Sequence, residues 1–279
     1  MPPRISRYTI AGALLLAGLP LAAPVPAVAQ KIAVSAEIAA AVAASTRTPA
    51  NAARDQYRHP AETLSFFGVK PTDTVVEIWP AGGWYTEILA PYLKGKGTLW
   101  AVDFWPDSLK GIQNLQAKDA ALYGGIKLAA FPASAGQPTV PAGSADMVLT
   151  FRNVHNFQMG YKREGKDYGL EAFQQMFAML KPGGVLGIVD HRLPEADDVA
   201  REKTSGYVKV STVRKLAEQA GFVFEGASEI NANPKDTTKW AKGVWTLPPR
   251  YAEGDVDRAK YQAIGESDRM TLKFRKPQS

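Results

Sequence analysis

The sequence predicts an α/β chain built on a doubly wound sheet. Three observations carry that prediction. Thr74-Val75-Val76-Glu77-Ile78 is an apolar run that breaks at Pro80-Ala81-Gly82-Gly83 and resumes with Trp84, Ile88 and Leu89 at helical spacing. This is the pattern of a buried strand, a tight turn and the opening of a helix. Downstream, short apolar runs alternate with amphipathic stretches. Several of those runs end on polar residues (Asp103, the cluster after Phe151, Asp190), where open α/β sheets hold ligands in the crevice beyond their carboxyl ends.

In chain order, Arg4 and Arg7 precede an apolar stretch from Ile10 to Leu21, and Ala27-Val28-Ala29 forms a small-residue cleavage site before Gln30. These are the three parts of a secretory signal peptide over residues 1–29, which implies a periplasmic or secreted protein. A membrane anchor is the weaker reading, because Pro20, Pro24 and Pro26 interrupt the run short of the roughly 20 apolar residues a span requires. Residues 30–51 are Ala-rich and read as a loosely held helix or a tether. One domain is expected over residues 52–279.

Pro60 suits a helix start, Leu64 and Phe67 supply its apolar face, and Gly68 ends it. Tyr57, Arg58 and His59 just before it either line the ligand site or form a charged surface turn. The helix after the turn is expected to run toward Lys94 and to end near Pro91. Leu99–Asp103 is a second strand closed by an acid. Asp103 lies 26 residues after Glu77; it reads as a ribose-binding carboxylate or as a helix cap. Ile126–Phe131 and Met147–Phe151 are the third and fourth strands.

Arg152-Asn153-Val154-His155-Asn156-Phe157 then places polar residues with no capping logic at the end of a central strand. His155 is the one member whose ordinary pKa lies near neutrality. Phe173, Met176, Phe177 and Leu180 recur at i, i+3, i+4 and i+7, which predicts a core-facing helix. Leu180-Lys181-Pro182-Gly183-Gly184 turns into the strand Val185–Asp190, with Asp190 and His191 closing it on the crevice side. Ser211 or Thr212 is expected to cap the next helix, and Gly221 to end it. Val223–Ile230 and Met270–Phe274 are the last strands. The connection between them, about 231–269, is too long for a hairpin loop. It begins and ends on the ligand face, so Trp240, Trp245, Pro248, Pro249, Arg250 and Tyr251 are expected to form a cover or a substrate wall.

The strand, acid and turn at Thr74–Thr86 resemble the first motif of the class I S-adenosylmethionine-dependent methyltransferases. Glu77 takes the acidic place, Gly83 that of the last glycine, Ala81 that of the second, and Trp79 stands where the family has its first. The string is similar to an exported branch of predicted methyltransferases with a Trp-Pro-x-Gly-Gly-Trp-Tyr turn, and the Leu-Lys-Pro-Gly-Gly turn is a further family feature. The resemblance spans about residues 52–275. It implies a Rossmann-like methyltransferase sheet, mostly parallel, with an antiparallel last strand. It also implies S-adenosyl-L-methionine as cofactor, held by Glu77, Ala81, Gly82, Gly83 and Asp103, with Ser134 substituting for the acid that touches the adenine amine. Arg152, Asn153, Asn156, Tyr85 and His191 would face a small-molecule acceptor, with His155 orienting or deprotonating it. The alternative is an exported, non-catalytic protein of this fold that binds a small ligand.

Composition narrows the rest. The chain has no cysteine, which excludes disulfides, a lipid-modified cysteine anchor and thiolate chemistry. Net charge is +6, with basic residues scattered rather than striped, so no nucleic-acid surface is expected. His59, His155 and His191 all fall near the crevice, but no pair has helical ligand spacing, and no metal site is assigned.

Overall fold

A computed structural model describes residues 32–278; the expected signal peptide lies outside the described residues. The first half comprises α1 (Ala36–Val42), α2 (Pro49–Ala52), α3 (Asp55–Arg58), α4 (Pro60–Phe67), β1 (Thr74–Ile78), α5 (Thr86–Leu93), β2 (Thr98–Asp103), α6 (Lys110–Lys118), α7 (Ala120–Tyr123), β3 (Lys127–Ala130) and β4 (Ala145–Phe151). It continues with α8 (Val154–Gln158), α9 (Gly169–Met179), β5 (Leu180–Leu193), β6 (Val208–Lys209), α10 (Val210–Gln219), β7 (Val223–Ser228), α11 (Arg258–Ile264) and β8 (Arg269–Arg275).

The sheet runs in the order β3-β2-β1-β4-β5-β8-β7, with the short β6 beside β5. Pairings from β3 through β5 are parallel, whereas β8 runs antiparallel to both β5 and β7. This is the mostly parallel Rossmann-like methyltransferase sheet with antiparallel C-terminal strands that the sequence predicts. Chain order reverses between β1 and β4, so a crevice opens beyond their carboxyl ends.

Period-two alternation sorts side chains between two cores. Val76 and Ile78 of β1 join Phe173 and Met176 of α9, Leu186 of β5 and Phe274 of β8 on one face. On the other, Val75 meets Leu64 and Phe67 of α4 and Ile88 and Leu89 of α5. The Ala-rich segment before residue 52 joins this second core through Ile38 and Ala41. It is also tied by charge: the buried Glu87 carboxylate of α5 accepts from Thr48 N–H, Thr48 Oγ1 and Asn51 Nδ2.

Three expectations are corrected. The helix after the turn does not end at Pro91, which lies inside α5. An internal proline costs about 3 kcal/mol; burial of Tyr92 and Leu93 just beyond it, worth roughly 1.5–3 kcal/mol per large apolar side chain, offsets that. Neither Ser211 nor Thr212 caps α10, whose cap position is Lys209; their hydroxyls donate to Glu195 and Glu202 instead. And β5 starts at Leu180, whose extended backbone leads straight out of α9.

The turn after β1 is pinned from below by α6. A Cβ on Gly111 would lie 2.2 Å from the Ala81 carbonyl oxygen, whereas one on Gly82 would meet nothing within 4 Å. Gly111→Ala is therefore expected to lower stability by about 1–3 kcal/mol through overpacking, despite the helix preference of alanine. Gly82→Ala should change it by less than about 0.5 kcal/mol. Denaturant midpoints of the two variants check this pair.

Candidate functional site

The turn carries unusual backbone. Trp79 (φ 48°), Ala81 (φ 51°) and Gly83 (φ 86°) are all left-handed. Only the glycine adopts this without cost; a bulky side chain there stores about 1–2 kcal/mol. The Trp79 ring explains why the strain persists. Its Nε1–H donates to the Phe131 carbonyl at 3.0 Å, and it packs on Phe104, Phe157 and Tyr161 at centroid distances of 5.1, 4.9 and 5.8 Å. The indole thus lies across the carboxyl ends of β1, β2 and β3 and fills the half of the crevice beside Asp103.

At the end of β4, Asn153 Nδ2 donates to the Ile78 carbonyl at 2.9 Å and to Thr150 Oγ1 at 3.2 Å, strapping this strand end to β1. Arg152 is left-handed (φ 66°), so its side chain leaves the strand line and enters the crevice. The short α8 then presents His155. Its Nδ1 lies 2.8 Å from Asp190 Oδ1, and its backbone N–H donates to Asp190 Oδ2 at 3.1 Å. In the neutral imidazole, a carboxylate at that position favours the proton on Nδ1, and Nε2 is then the acceptor. Asp190 Oδ1 also accepts from the His191 N–H at 2.7 Å. His191 Nδ1 is 2.6 Å from Ser267 Oγ. Burial, with His155 and the arginines nearby, holds the His191 imidazole well below its ordinary pKa, so it is neutral.

These groups border a cavity of about 280 Å³, near the low end of the roughly 300–1,000 Å³ typical of small-ligand sites. Glu77, Arg152, Asn153, His155 and His191 line it together with Trp84 and the stacked pair Tyr85–Phe151. Trp245, Leu247, Pro248, Pro249 and Arg250 line it too, so the 231–269 connection is part of its wall. Trp240 points elsewhere, donating to Asp236.

Electrostatically the cavity is lopsided. Arg54, Arg58 and Arg269 converge on one carboxylate, Glu266, at 2.6, 3.0 and 3.1 Å. Although burial pushes Glu266 up, Arg269, Arg58, Arg54 and Arg152 hold it down at about 2. Burial pushes the Arg152 guanidinium down to about 10, still charged at neutral pH. Glu77 has almost no exposed surface, and burial pushes it up to about 7 against a hydrogen bond from Thr86. Asp103 is likewise raised to about 7 by burial, with the Phe104 N–H and Lys162 opposing.

Of the residues singled out from the sequence, the cavity brings together Glu77, Ala81, Tyr85, Arg152, Asn153, His155, Asn156 and His191. Gly82, Gly83, Asp103 and Ser134 do not line it. Gly83 faces Leu115 and Ile112 of α6. Asp103 Oδ1 accepts from Phe104 N–H, next to the Phe104 ring that packs on Trp79, and the backbone N–H of the exposed Ser134 donates to Gln137 Oε1. His59, with Tyr57, borders a separate pocket beside Asn231 and Asn233. Sequence reasoning left Asp190, Glu266 and Ser267 unassigned; an acid closing β5 beside His191 was the one available signal. The ligand atoms of His155, Asp190 and His191 lie within 4.8 Å of one another, a spacing that admits a metal ion. Asp190 is already taken by three donors, however, and Arg58, Arg152 and Arg269 oppose a second cation there.

No protein-family model matches the sequence, and no curated protein matches it. Solved structures do. A SAM-dependent methyltransferase from Aquifex aeolicus is 15% identical, with TM-score 0.53 over 80% of this chain and 92% of that one. Phosphoethanolamine N-methyltransferase 2 from Haemonchus contortus, determined in complex with S-adenosyl-L-methionine, is 16% identical, with TM-score 0.52 over 86% of this chain and 56% of that one. The cyclase SpnF is 12% identical, with TM-score 0.54 over 85% of each chain. The chain therefore has the fold of the SAM-dependent methyltransferases, a fold on which a cyclase is also built.

The raised Glu77 pKa fixes a pH dependence. Below about pH 4.5 the carboxyl is protonated in both folded and unfolded chains. From there to about pH 7 the unfolded chain releases its proton first, so the folded state loses stability as pH rises. Glu77→Gln keeps an acceptor for Thr86 and removes the titration. Relative to this variant, wild type is expected to lose up to about 3 kcal/mol between those pH values, read from urea melts at each pH.

Proposed function

We propose that the protein is an S-adenosylmethionine-dependent methyltransferase acting on a small molecule bound in the cavity, with His155 taking a proton from that acceptor. One observation carries this reading: on a methyltransferase fold, the His155–Asp190 pair turns a free imidazole nitrogen into the crevice beyond β4 and β5. Asp190 fixes the tautomer and the ring plane, so Nε2 needs no reorganisation to accept a proton. Neutral His191 and Asn156 supply further polar contacts, while Trp245 and the prolines beside it exclude water. When bound, the cofactor supplies an electrophilic methyl group. Export of the chain, with cleavage after residue 29, belongs to the same proposal and is checked by the mass of the mature protein.

The fit to the cofactor is partial. Glu77 and the Ala81 backbone border the open cavity and suit its amino-acid end. Its nucleoside end would lie beside Asp103, in space that the Trp79 indole occupies. Cofactor entry thus requires the ring to leave. The same observation favours a second reading, in which the fold is kept, the nucleoside half stays shut and the cavity binds a ligand without methyl transfer.

Calorimetric titration with S-adenosylmethionine and S-adenosylhomocysteine separates the two. On the first reading wild type binds with micromolar affinity. Trp79→Gly, which relieves the left-handed strain and opens the nucleoside half, binds about tenfold tighter or better. Absence of binding by wild type and the folded Trp79→Gly variant alike would leave the second reading standing.

A further inference from the structure

The positive charge in and beside the cavity is only partly matched by carboxylates among the described residues. Arg54, Arg58 and Arg269 share the single carboxylate of Glu266. Arg152, which lines the cavity, has no hydrogen-bonding or ion-pair partner for its guanidinium among the described residues. Arg58 is 2% exposed; its Nη2 has no partner, and neither has Arg269 Nε. The other nearby acids do not restore the balance. Asp190 is committed to His155 and the His191 N–H, and Glu77 is held by Thr86 and tends to the neutral form. Burying guanidinium groups in excess is costly unless an anion joins them.

The walls around this charge are flat and apolar. Trp84 packs its ring against Arg58, 4.6 Å from the guanidinium carbon to the centroid. Tyr85 and Phe151 stack at 3.5 Å, and Trp245, Leu247 and Pro248 line the same cavity. A planar guanidinium fork presents paired donors to an oxyanion, and the aromatic walls accept a flat body.

We propose that the cavity binds a small organic oxyanion, a carboxylate on a flat apolar body, with its charge held by Arg152 and its body against the aromatic lining that includes Trp84 and Trp245. This rests on the cavity being the ligand site, which both functional readings share, and it holds with or without a cofactor. A ligand so anchored, if it also bears a hydroxyl or amine, can present that group to His155 Nε2.

The test uses benzoate, 4-hydroxybenzoate and phenyl phosphate, with benzamide and benzylamine as neutral and cationic counterparts and inorganic phosphate as the bare oxyanion. Binding is read by calorimetry and by tryptophan fluorescence on the full chain without cofactor. The expected result is that the aromatic carboxylates bind about tenfold to hundredfold more tightly than benzamide, with affinity falling as salt rises. Benzylamine should not bind. Arg152→Gln should remove the preference for the carboxylate while leaving benzamide affinity unchanged, with a thermal midpoint no lower than that of wild type because an unpaired buried charge is gone, and Arg152→Lys should restore part of the preference. Tighter binding of phenyl phosphate than of benzoate would replace the carboxylate by a phosphoryl group on the same anchor, overturning that part. Equal affinity for benzoate and benzamide, binding of inorganic phosphate alone, or no binding of any aromatic anion overturns the proposal. So does an Arg152→Gln variant that loses affinity for S-adenosylmethionine but not for benzoate, because Arg152 would then serve the cofactor. Failure of wild type and Trp79→Gly to bind S-adenosylmethionine, with benzoate binding intact, would sink the methyltransferase reading and leave this one in place.

Discussion

The crevice depends on one carboxylate. Asp190 has no exposed surface, and a buried carboxylate without partners would cost several kcal/mol. It is answered by the His155 N–H, the His155 ring and the His191 N–H. Those donors come from two elements, the start of α8 and the end of β5. The helix cannot slide along the strand end without stripping the carboxylate of its partners. Geometry follows from that constraint: the imidazole of His155 has one tautomer, one ring plane and one free nitrogen. Asn153 adds a second strap, from the same loop to the Ile78 carbonyl of β1. The two switch-point strands and β5 are thereby locked together at the edge where a ligand would sit.

Trp79 divides the crevice into unlike halves. On its β2–β3 side the indole, Phe104, Phe157 and Tyr161 make a closed aromatic layer, and Asp103 is buried beside it. On its β4–β5 side lies the cavity, with Arg152 among a largely aromatic and apolar lining. The left-handed backbone at Trp79 is a conformation glycine adopts freely, so the turn keeps a shape suited to glycine while carrying the largest side chain. The hydrogen bond to Phe131 and the aromatic contacts offset the strain, and they also make the closed half the stable one. Whatever enters there must displace a ring that is already packed and hydrogen-bonded.

Much of this was legible in the sequence, and the failures have physical causes. The β1–turn–α5 unit and the amphipathic α9 follow from local periodicity and turn chemistry, which act over a few residues, whereas the antiparallel direction of β8 was an implication of the family resemblance alone. The Arg152–Asn156 cluster stood out because its polar residues had no capping role to play, and four of them line the cavity. The arginine–Glu266 group could not be read in the same way. Arg54 and Arg58 lie 212 and 208 positions from their shared partner, and no local pattern reports a pairing at that distance. The destination of the Trp79 ring was equally hidden, since it depends on a carbonyl 52 residues away. Pro91 misled for a related reason: the local rule holds, but burial of the next two side chains outweighs it.

The connection between β7 and β8 ties these features together. It supplies Trp245 and the prolines that cover the cavity, and it ends in Glu266 and Ser267. Glu266 docks that end onto three arginines, while Ser267 reaches His191. The cover is therefore held by the same charges that define what the cavity can accept. If Glu266 left, the arginines would lose their one internal anion, so detaching the cover is electrostatically costly. With Glu266 in place a positive excess remains, centred on Arg152. An anion in the cavity would reduce it and strengthen the hold of the whole cluster. By linkage, whatever the cavity binds through Arg152 should also stabilise the closed cover, and the closed cover should favour that ligand by the same free energy.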